Sequence, residues 1–479
     1  MYGGGARIER LQGDLGVLVP WESTGGTYTA VSLDPQSVFK AYDVRGRADT
    51  GELDSELYRR VGVALVQSLG ASSVAVGRDC RATSPGFATA LAEGVVAAGG
   101  HAIDVGEVPT DAVYFYSGAQ QVHGAIVTAS HNPAEYNGLK LCGPGAAPIG
   151  MDTGLAEIRD AVIAGVAPSP PAPGRLTSER IVDDYVEHLF GIVPPASIGP
   201  LRIAVDGGNG MAGVAIQQVF DRIDATIEGL YLEPDGSFPN HPADPLVPEN
   251  LADLEDLMAS GRFDLGVAFD GDADRASFLD GDGVSLSGST VTSLVARRIL
   301  VDNPGASVVH NLITSKAVPE IVAECGGIPI RTRVGHSYIK QVMAESGAVF
   351  GGEHSGHYYF RDNFRADSGM LAMLYLLRVV SEDGRPLSSI RRDVERYAAS
   401  GEINFVVSDV ESAMRRVEDE FDGATIDRLD GLTVDLGQEW FNLRPSNTEP
   451  LLRLNAEAPD EAAVGRIVER VSRIVESES

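Results

Sequence analysis

Cysteine is scarce in this chain. Three residues, Cys80, Cys142 and Cys325, are scattered over 479 positions and form no C-x-x-C. That spacing excludes a disulfide framework and a cysteine-built metal site, and it sets the expectation of a reducing, cytoplasmic compartment. Positive charge is also short: 38 Lys and Arg stand against 68 Asp and Glu, a formal net charge of −30. Nucleic acid and anionic membranes require a basic face, so neither is expected as a partner. A small anion stays open, provided Arg and Lys are concentrated locally. Long apolar runs are missing as well, and none reaches the length of a membrane span. The first thirty residues hold GGG and GG among isolated polar residues instead of the apolar core of a signal peptide. They read as a flexible extension over 1–31.

What is present has the balance of a soluble globular protein, 43% hydrophobic and 22% charged. The length calls for several domains. After a polar loop at 40–46, a helix is expected over 53–69, a strand at 73–76, a helix at 84–98 and strands at 101–105 and 125–127. Strands alternating with helices at this spacing indicate βαβ units and a largely parallel sheet. PSPPAPG at 168–174 reads as an extended linker, followed by a helix near 178–190. The second block opens with a strand at 202–205 and closes with another at 265–269. A third, over 283–397, again alternates, with helices near 289–301 and 317–325 about a strand at 307–310. The fourth differs: strands at 403–407, 432–436, 440–443 and 451–455 precede a helix over 460–475. That helix places Val464, Ile467, Val468, Val471 and Ile474 on one face. The expectation is three similar mixed α/β domains (32–177, 178–282 and 283–396) and a smaller C-terminal α+β domain (397–479).

Four stretches carry chemistry. AIVTASHNP at 125–133 is a buried strand running into small polar residues and an Asn-Pro turn. Ser130 therefore stands just past a strand end, where open α/β sheets bind ligands. His131 is poorly placed as its base, because neighbours in extended chain point to opposite sides. DGDADR at 270–275 follows an apolar strand, and alternating carboxylates in a loop suit one hard cation such as Mg²⁺. An EF-hand fails here, with Arg275 at its sixth position and Gly281 at its twelfth. GGEHSGH at 351–357 sets a carboxylate, a hydroxyl and two imidazoles among glycines, a mixture suited to sugar hydroxyls. RPSNTEP at 444–450 offers a guanidinium fork and hydroxyl and amide donors to phosphate, with Arg453 adding charge. A fifth pattern, Gly208-x-Gly210-x-x-Gly213, matches the dinucleotide fingerprint. A tight strand-to-helix turn explains it equally well.

TASHNP, DGDADR, GEHSGH and RPSNTEP in this order resemble the α-D-phosphohexomutase superfamily, in particular bacterial phosphomannomutase/phosphoglucomutase, from about Val38 to the C-terminus. The resemblance implies four domains round a central cleft, one motif from each. Ser130 would be the phosphorylated serine, with Asp270, Asp272 and Asp274 holding Mg²⁺ beside the phosphoserine. Arg45, Lys140 and His357 would act near the reacting groups, the choice of acid and base staying open. Tyr42, His131, Arg275, His336, Glu353 and Ser355 would contact the substrate. Arg444, Ser446, Asn447, Thr448 and Arg453 would hold its distal phosphate. In some dual-specificity members a Lys reaches the cleft from the third domain, and Lys316 is the candidate here.

The function implied is interconversion of hexose 6-phosphate and hexose 1-phosphate, mannose or glucose, through a hexose 1,6-bisphosphate. Glucose 1,6-bisphosphate would serve as activator, and monomer and homodimer both stay open. Phosphoglucosamine mutase is the rival within the family, disfavoured by His354 where Gln is typical. A non-catalytic phosphosugar-binding protein would not need Ser130 and all three Asp. A dinucleotide oxidoreductase would leave the metal and phosphate loops idle.

Overall fold

The computed structural model describes residues 35–168, 172, 174–407, 409–445 and 451–477. The expected extension over 1–31 lies outside them, as does much of the 168–174 linker. Two compact units result. The first ends at Tyr185 and includes Asp235–Ser237; the second holds Val186–Pro234 and the chain from Phe238 onward.

In the first unit the strands are β1 Val44–Arg47, β2 Ser73–Arg78, β3 His101–Glu107, β4 His123–Val127, β5 Tyr136–Gly143, β6 Ala147–Pro148 and β7 Arg175–Ser178. Their order is β1-β5-β4-β2-β3-β7, with β6 added to β5. Residues 44–46 were expected in a loop but belong to the strand Val44–Arg47, in which Val44 and Gly46 alternate inward while Arg45 and Arg47 are more exposed. The helix Ser55–Leu69 is capped by Asp54, which accepts from the Leu57 N–H, and ends at a left-handed Gly70. It crosses the helix Ser84–Ala97 very closely. A Cβ on Gly94 would stand 2.0 Å from the Arg59 carbonyl, and one on Gly62 would stand 2.2 Å from that of Leu91. Buried Leu57, Val61 and Leu65 join Phe87, Leu91 and Val95 over Val74, Val76 and Val127 in one core. Each such side chain contributes about 1.5–3 kcal/mol by leaving water.

The second unit carries three sheets. One contains β8 Leu201–Asp206, β9 Ala225–Leu230, β10 Leu265–Phe269, β11 Ala276–Asp280 and β12 Ser285–Leu286, in the order β12-β11-β10-β8-β9. The next contains β13 Ser307–Asn311, β14 Ile328–Thr332, β15 Phe350–Gly352, β16 Tyr358–Phe360 and β17 Ala366–Asp367, in the order β14-β13-β15-β16-β17. The last is antiparallel, β18 Ala398–Val406, β19 Thr425–Asp427, β20 Leu432–Asp435, β21 Trp440–Pro445 and β22 Leu451–Ala458, in the order β18-β22-β21-β20-β19. The helices Val410–Glu420 and Glu461–Glu476 pack into its core through Ala413, Val417, Val464, Ile467, Val471 and Val475. This is the expected α+β domain.

The three α/β sheets share a topology. In each, four strands stand in the spatial order second, first, third, fourth: β3-β2-β4-β5, β9-β8-β10-β11 and β14-β13-β15-β16. The first three of each set run parallel and the fourth returns antiparallel on the third. The third-to-fourth turn therefore always falls at the carboxyl end of the parallel strands, where ligands bind in such sheets. TASHNP fills that turn in the first sheet, DGDADR in the second and GEHSGH in the third.

Candidate active site

In the first unit, Ser130 lies two residues beyond the turn's start at Thr128. It is 4% exposed, with φ at +51°, the left-handed region that non-glycine residues rarely enter. Its N–H donates to Thr128 Oγ1 at 2.9 Å. Because the backbone here is not extended, Ser130 Oγ and His131 Nδ1 stand 3.2 Å apart. The extended-chain argument that set His131 aside is corrected by this turn.

What holds the turn is Arg81, which sequence reasoning missed. Its guanidinium is fully buried and donates to four carbonyls: Ser130 at 2.8 Å, Asn132 at 2.6 Å, Pro133 at 2.6 Å and Tyr136 at 3.1 Å. Asp79 balances its charge at 3.1 Å. Burial pushes the Asp79 carboxyl up, against the pull of Arg81 and of the Ser84 and Thr128 hydroxyls. Arg45 also grips the turn, donating to the Ala129 carbonyl at 2.8 Å and to Asn132 Oδ1 at 2.5 Å, with Asp43 at 2.6 Å as counter-ion. Lys140 is on β5 in register with Ile126 of β4, and Tyr42 just precedes β1.

In the second unit, Asp270, Asp272 and Asp274 are almost fully buried, and one oxygen from each lies within 4.8 Å of the others. Three converging carboxylates repel one another unless a cation joins them, and an all-oxygen set fits Mg²⁺ or Ca²⁺ better than a softer metal. Arg275 donates from Nε to Asp270 at 3.0 Å and lies 3.9 Å from Asp244. Burial works against its charge, yet Asp270, Asp244 and Asp274 hold its pKa above the ordinary value. The fingerprint glycines do packing work here. Gly210 abuts the metal loop, since its Cβ would stand 2.7 Å from the Gly271 carbonyl, and the Met211 N–H donates to that same carbonyl at 2.9 Å.

The GEHSGH turn is joined to the metal loop through a bridge between Arg275 and His357. Glu353 is 3% exposed and accepts from the Tyr359 hydroxyl at 2.7 Å, Asn311 Nδ2 at 3.2 Å and the Gly335 N–H at 3.2 Å. Ser355 Oγ meets His357 Nδ1 at 3.1 Å, and His357 Nε2 lies 3.9 Å from both Asp274 and Asp367. His354 turns toward Asn311, and burial pushes its pKa down to about 4. His336 opens the helix His336–Ser346, and only its backbone position is described.

Arg444 and Arg453 are cross-strand partners on β21 and β22 and share Glu402, at 3.3 Å and 3.5 Å. Like charges directly opposite destabilise a sheet, and burial pulls the Arg444 pKa down. A dianion would relieve both. Ser446, Asn447 and Thr448 lie outside the described residues. The Lys316 ammonium is held by Asp435 at 2.8 Å and by the Gly437 carbonyl at 2.6 Å. Among the described residues no helix is long and apolar enough to cross a membrane, and the three cysteines form no disulfide.

Comparison with known proteins agrees along the chain. Residues 36–165, 183–283 and 287–397 match models for phosphoglucomutase/phosphomannomutase alpha/beta/alpha domains I, II and III, and 402–474 match the C-terminal domain. A protein of Xanthomonas campestris pv. campestris described as "Phosphohexose mutases" is 41% identical over 430 residues, 89% of this chain and 96% of that protein. The phosphomannomutase of Escherichia coli (strain K12) is 38% identical over 433 residues, 88% and 94% of the two chains. A crystal structure of a phosphoglucomutase/phosphomannomutase family protein from Burkholderia thailandensis superposes with a TM-score of 0.84 at 31% identity, covering 93% of this chain and 98% of its own.

Proposed function

The chain belongs to the phosphoglucomutase/phosphomannomutase family and is a hexose phosphate mutase, an isomerase; from that premise we propose a phosphoserine mechanism in which Ser130 carries the phosphoryl group. PhosphoSer130 gives its phosphoryl to the free O1 or O6 hydroxyl of a hexose phosphate, mannose or glucose, making the 1,6-bisphosphate. The intermediate reverses, and the other phosphoryl returns to Ser130. Mg²⁺ held by Asp270, Asp272 and Asp274 would neutralise charge on the transferring group. The remaining roles fall to the chain's own groups.

His357 exchanges the proton of the reacting hydroxyl, being an imidazole flanked by carboxylates. Glu353 and Ser355 take sugar hydroxyls. Arg444 and Arg453, with Ser446, Asn447 and Thr448, take the idle phosphate. Arg45 and Arg81 keep Ser130 in its left-handed turn, and Arg275 fixes Asp270. Tyr42, His131, Lys140 and His336 complete the substrate contacts. Glucose 1,6-bisphosphate primes dephosphorylated enzyme, and the few cysteines support a cytoplasmic setting. The domains divide near residues 177, 282 and 396.

The observation that carries the proposal is the shared topology: nucleophile, metal and sugar motifs fill one and the same turn of three like-ordered sheets. The test is a coupled assay of mannose 1-phosphate, glucose 1-phosphate and glucosamine 1-phosphate with Mg²⁺ and a trace of glucose 1,6-bisphosphate. Turnover of the first two is expected, with a phosphatase-sensitive phosphate on the intact protein. Turnover of the glucosamine ester alone would favour the amino-sugar rival, and wild-type turnover by Ser130→Ala would remove Ser130 as nucleophile.

A further inference from the structure

Lysine is almost never buried unless it is paired. Lys340, in the second turn of the helix His336–Ser346, has a side chain only 5% exposed. Its ammonium lies 2.7 Å from Asp367 Oδ1, and the Asp367 side chain is equally hidden at the end of β17. An ion pair this deep brings the fold little, because desolvation of both charges offsets their attraction, and an apolar pair of similar volume would usually serve stability as well. The neighbourhood supplies another reason for it.

Asp367 offers its second oxygen to His357, 3.9 Å from Nε2. The imidazole is ringed by two further buried carboxylates, Asp274 at 3.9 Å and Glu353 at 3.8 Å. Asp274 belongs to the metal cluster, and Glu353 already accepts from Tyr359, Asn311 and the Gly335 backbone. Asp367 is the carboxylate that Lys340 pairs with. Lys340 also lies 5.7 Å over the ring of Tyr359, and that ring stacks on His357 with centroids 6.2 Å apart. One ammonium thus touches two of the walls that hold the imidazole.

We propose that Lys340 is a positioning residue for the phosphoryl-transfer step, fixing the orientation of His357 through Asp367 and Tyr359. The inference rests on the proton-exchange role proposed for His357. It differs from a purely structural role, because an orienting residue acts only while the oriented group is there.

The test is a double-mutant cycle in the Mg²⁺-loaded enzyme, with folding checked by circular dichroism. Lys340→Met should lower kcat about 10- to 100-fold while KM stays within about threefold. Lys340→Arg, which keeps the charge, should recover part of the loss. In a His357→Ala background, read at raised enzyme concentration, Lys340→Met should lower the residual rate by less than about twofold. The double variant Lys340→Met/Asp367→Asn leaves no buried charge unpaired, so it stands in if the single variant fails to fold; its kcat should remain low. Equal losses with and without His357, or wild-type kcat in either Lys340 → Met variant, would overturn the proposal. Wild-type kcat in His357→Ala would instead overturn the role of His357 and, with it, this inference.

Discussion

Arg81 offers the sharpest test of how the phosphoserine turn is held. Arg81→Met removes hydrogen bonds to four carbonyls and strands Asp79, which is 1% exposed, without its counter-ion. Charged hydrogen bonds contribute about 1.5–3 kcal/mol apiece but do not add when they share one group. The stranded buried carboxylate sets the scale instead, about 3–5 kcal/mol. For a unit of this size that lowers Tm by roughly 10–15 °C, short of unfolding at room temperature. Activity should fall further than stability does. The left-handed backbone at Ser130 stores about 1–3 kcal/mol of strain, which relaxes once the clamp is gone and carries the hydroxyl away from its working position. At 15 °C, where the variant stays folded, kcat should drop at least about tenfold. Adding Asp79→Asn separates the two effects, because it removes the stranded charge without rebuilding the clamp. The double variant should regain most of the lost Tm and none of the lost kcat. Differential scanning calorimetry and the coupled mutase assay read these outcomes. Recovery of both together, or an Arg81→Met enzyme with wild-type kcat, would refute the clamp.

Metal removal by EDTA should abolish turnover and Mg²⁺ should restore it, and Asp272→Asn should weaken Mg²⁺ activation; full activity in a metal-free preparation would contradict the carboxylate assignment. Arg444→Ala should cost about 1.5–3 kcal/mol of transition-state binding, one to two decades in kcat/KM, and rapid-quench measurement should find more free glucose 1,6-bisphosphate. Wild-type kcat/KM without that rise would place the distal phosphate elsewhere. His310 is buried with its pKa lowered from 6.5 to about 4. A depressed folded pKa means stability that is whole above pH 6.5 and lost as pH falls from there to about 4, on the order of 3 kcal/mol in full. Urea titrations across that range should show the loss, and His310→Asn should flatten it.

Much of the fold was legible because buried parallel strands such as Val74–Val76 and Ala125–Val127 are β-branched runs whose burial needs no partner information. β1 was not, since V-R-G-R holds only one large apolar residue. The helix Val410–Glu420 was passed over for a related reason: within VESAMRRVEDE only Ala413 and Val417 are buried. The site followed the same division. Motif residues declared themselves by local chemistry, whereas Arg81 reaches carbonyls 49 to 55 positions away. The run Arg78-Asp79-Cys80-Arg81 hinted at a charged strand end but could not say what it bound. The pairing of Arg444 with Arg453 needed the hairpin register, and that of Lys340 with Asp367 needed the packing of a helix against the sheet. The direction of His131 was misjudged because the positive φ at Ser130 takes the turn out of extended chain.

The three like-ordered sheets have a bearing on how such a protein changes its chemistry over time. Each sheet delivers its turn to the same topological address, and apart from Gly352 at the end of β15 the turn residues lie outside the ladder that holds the sheet. A substitution in DGDADR or in 353–357 therefore alters what is bound while sparing the strand pairing of its own sheet, and the bridge between Arg275 and His357 is the place where the second and third addresses depend on each other. Novelty in substrate can accumulate by rewriting six-residue passages, one domain at a time, on sheets that never have to be reinvented. A chimera carrying the 353–357 turn of an amino-sugar mutase on this third sheet would measure how far that independence extends.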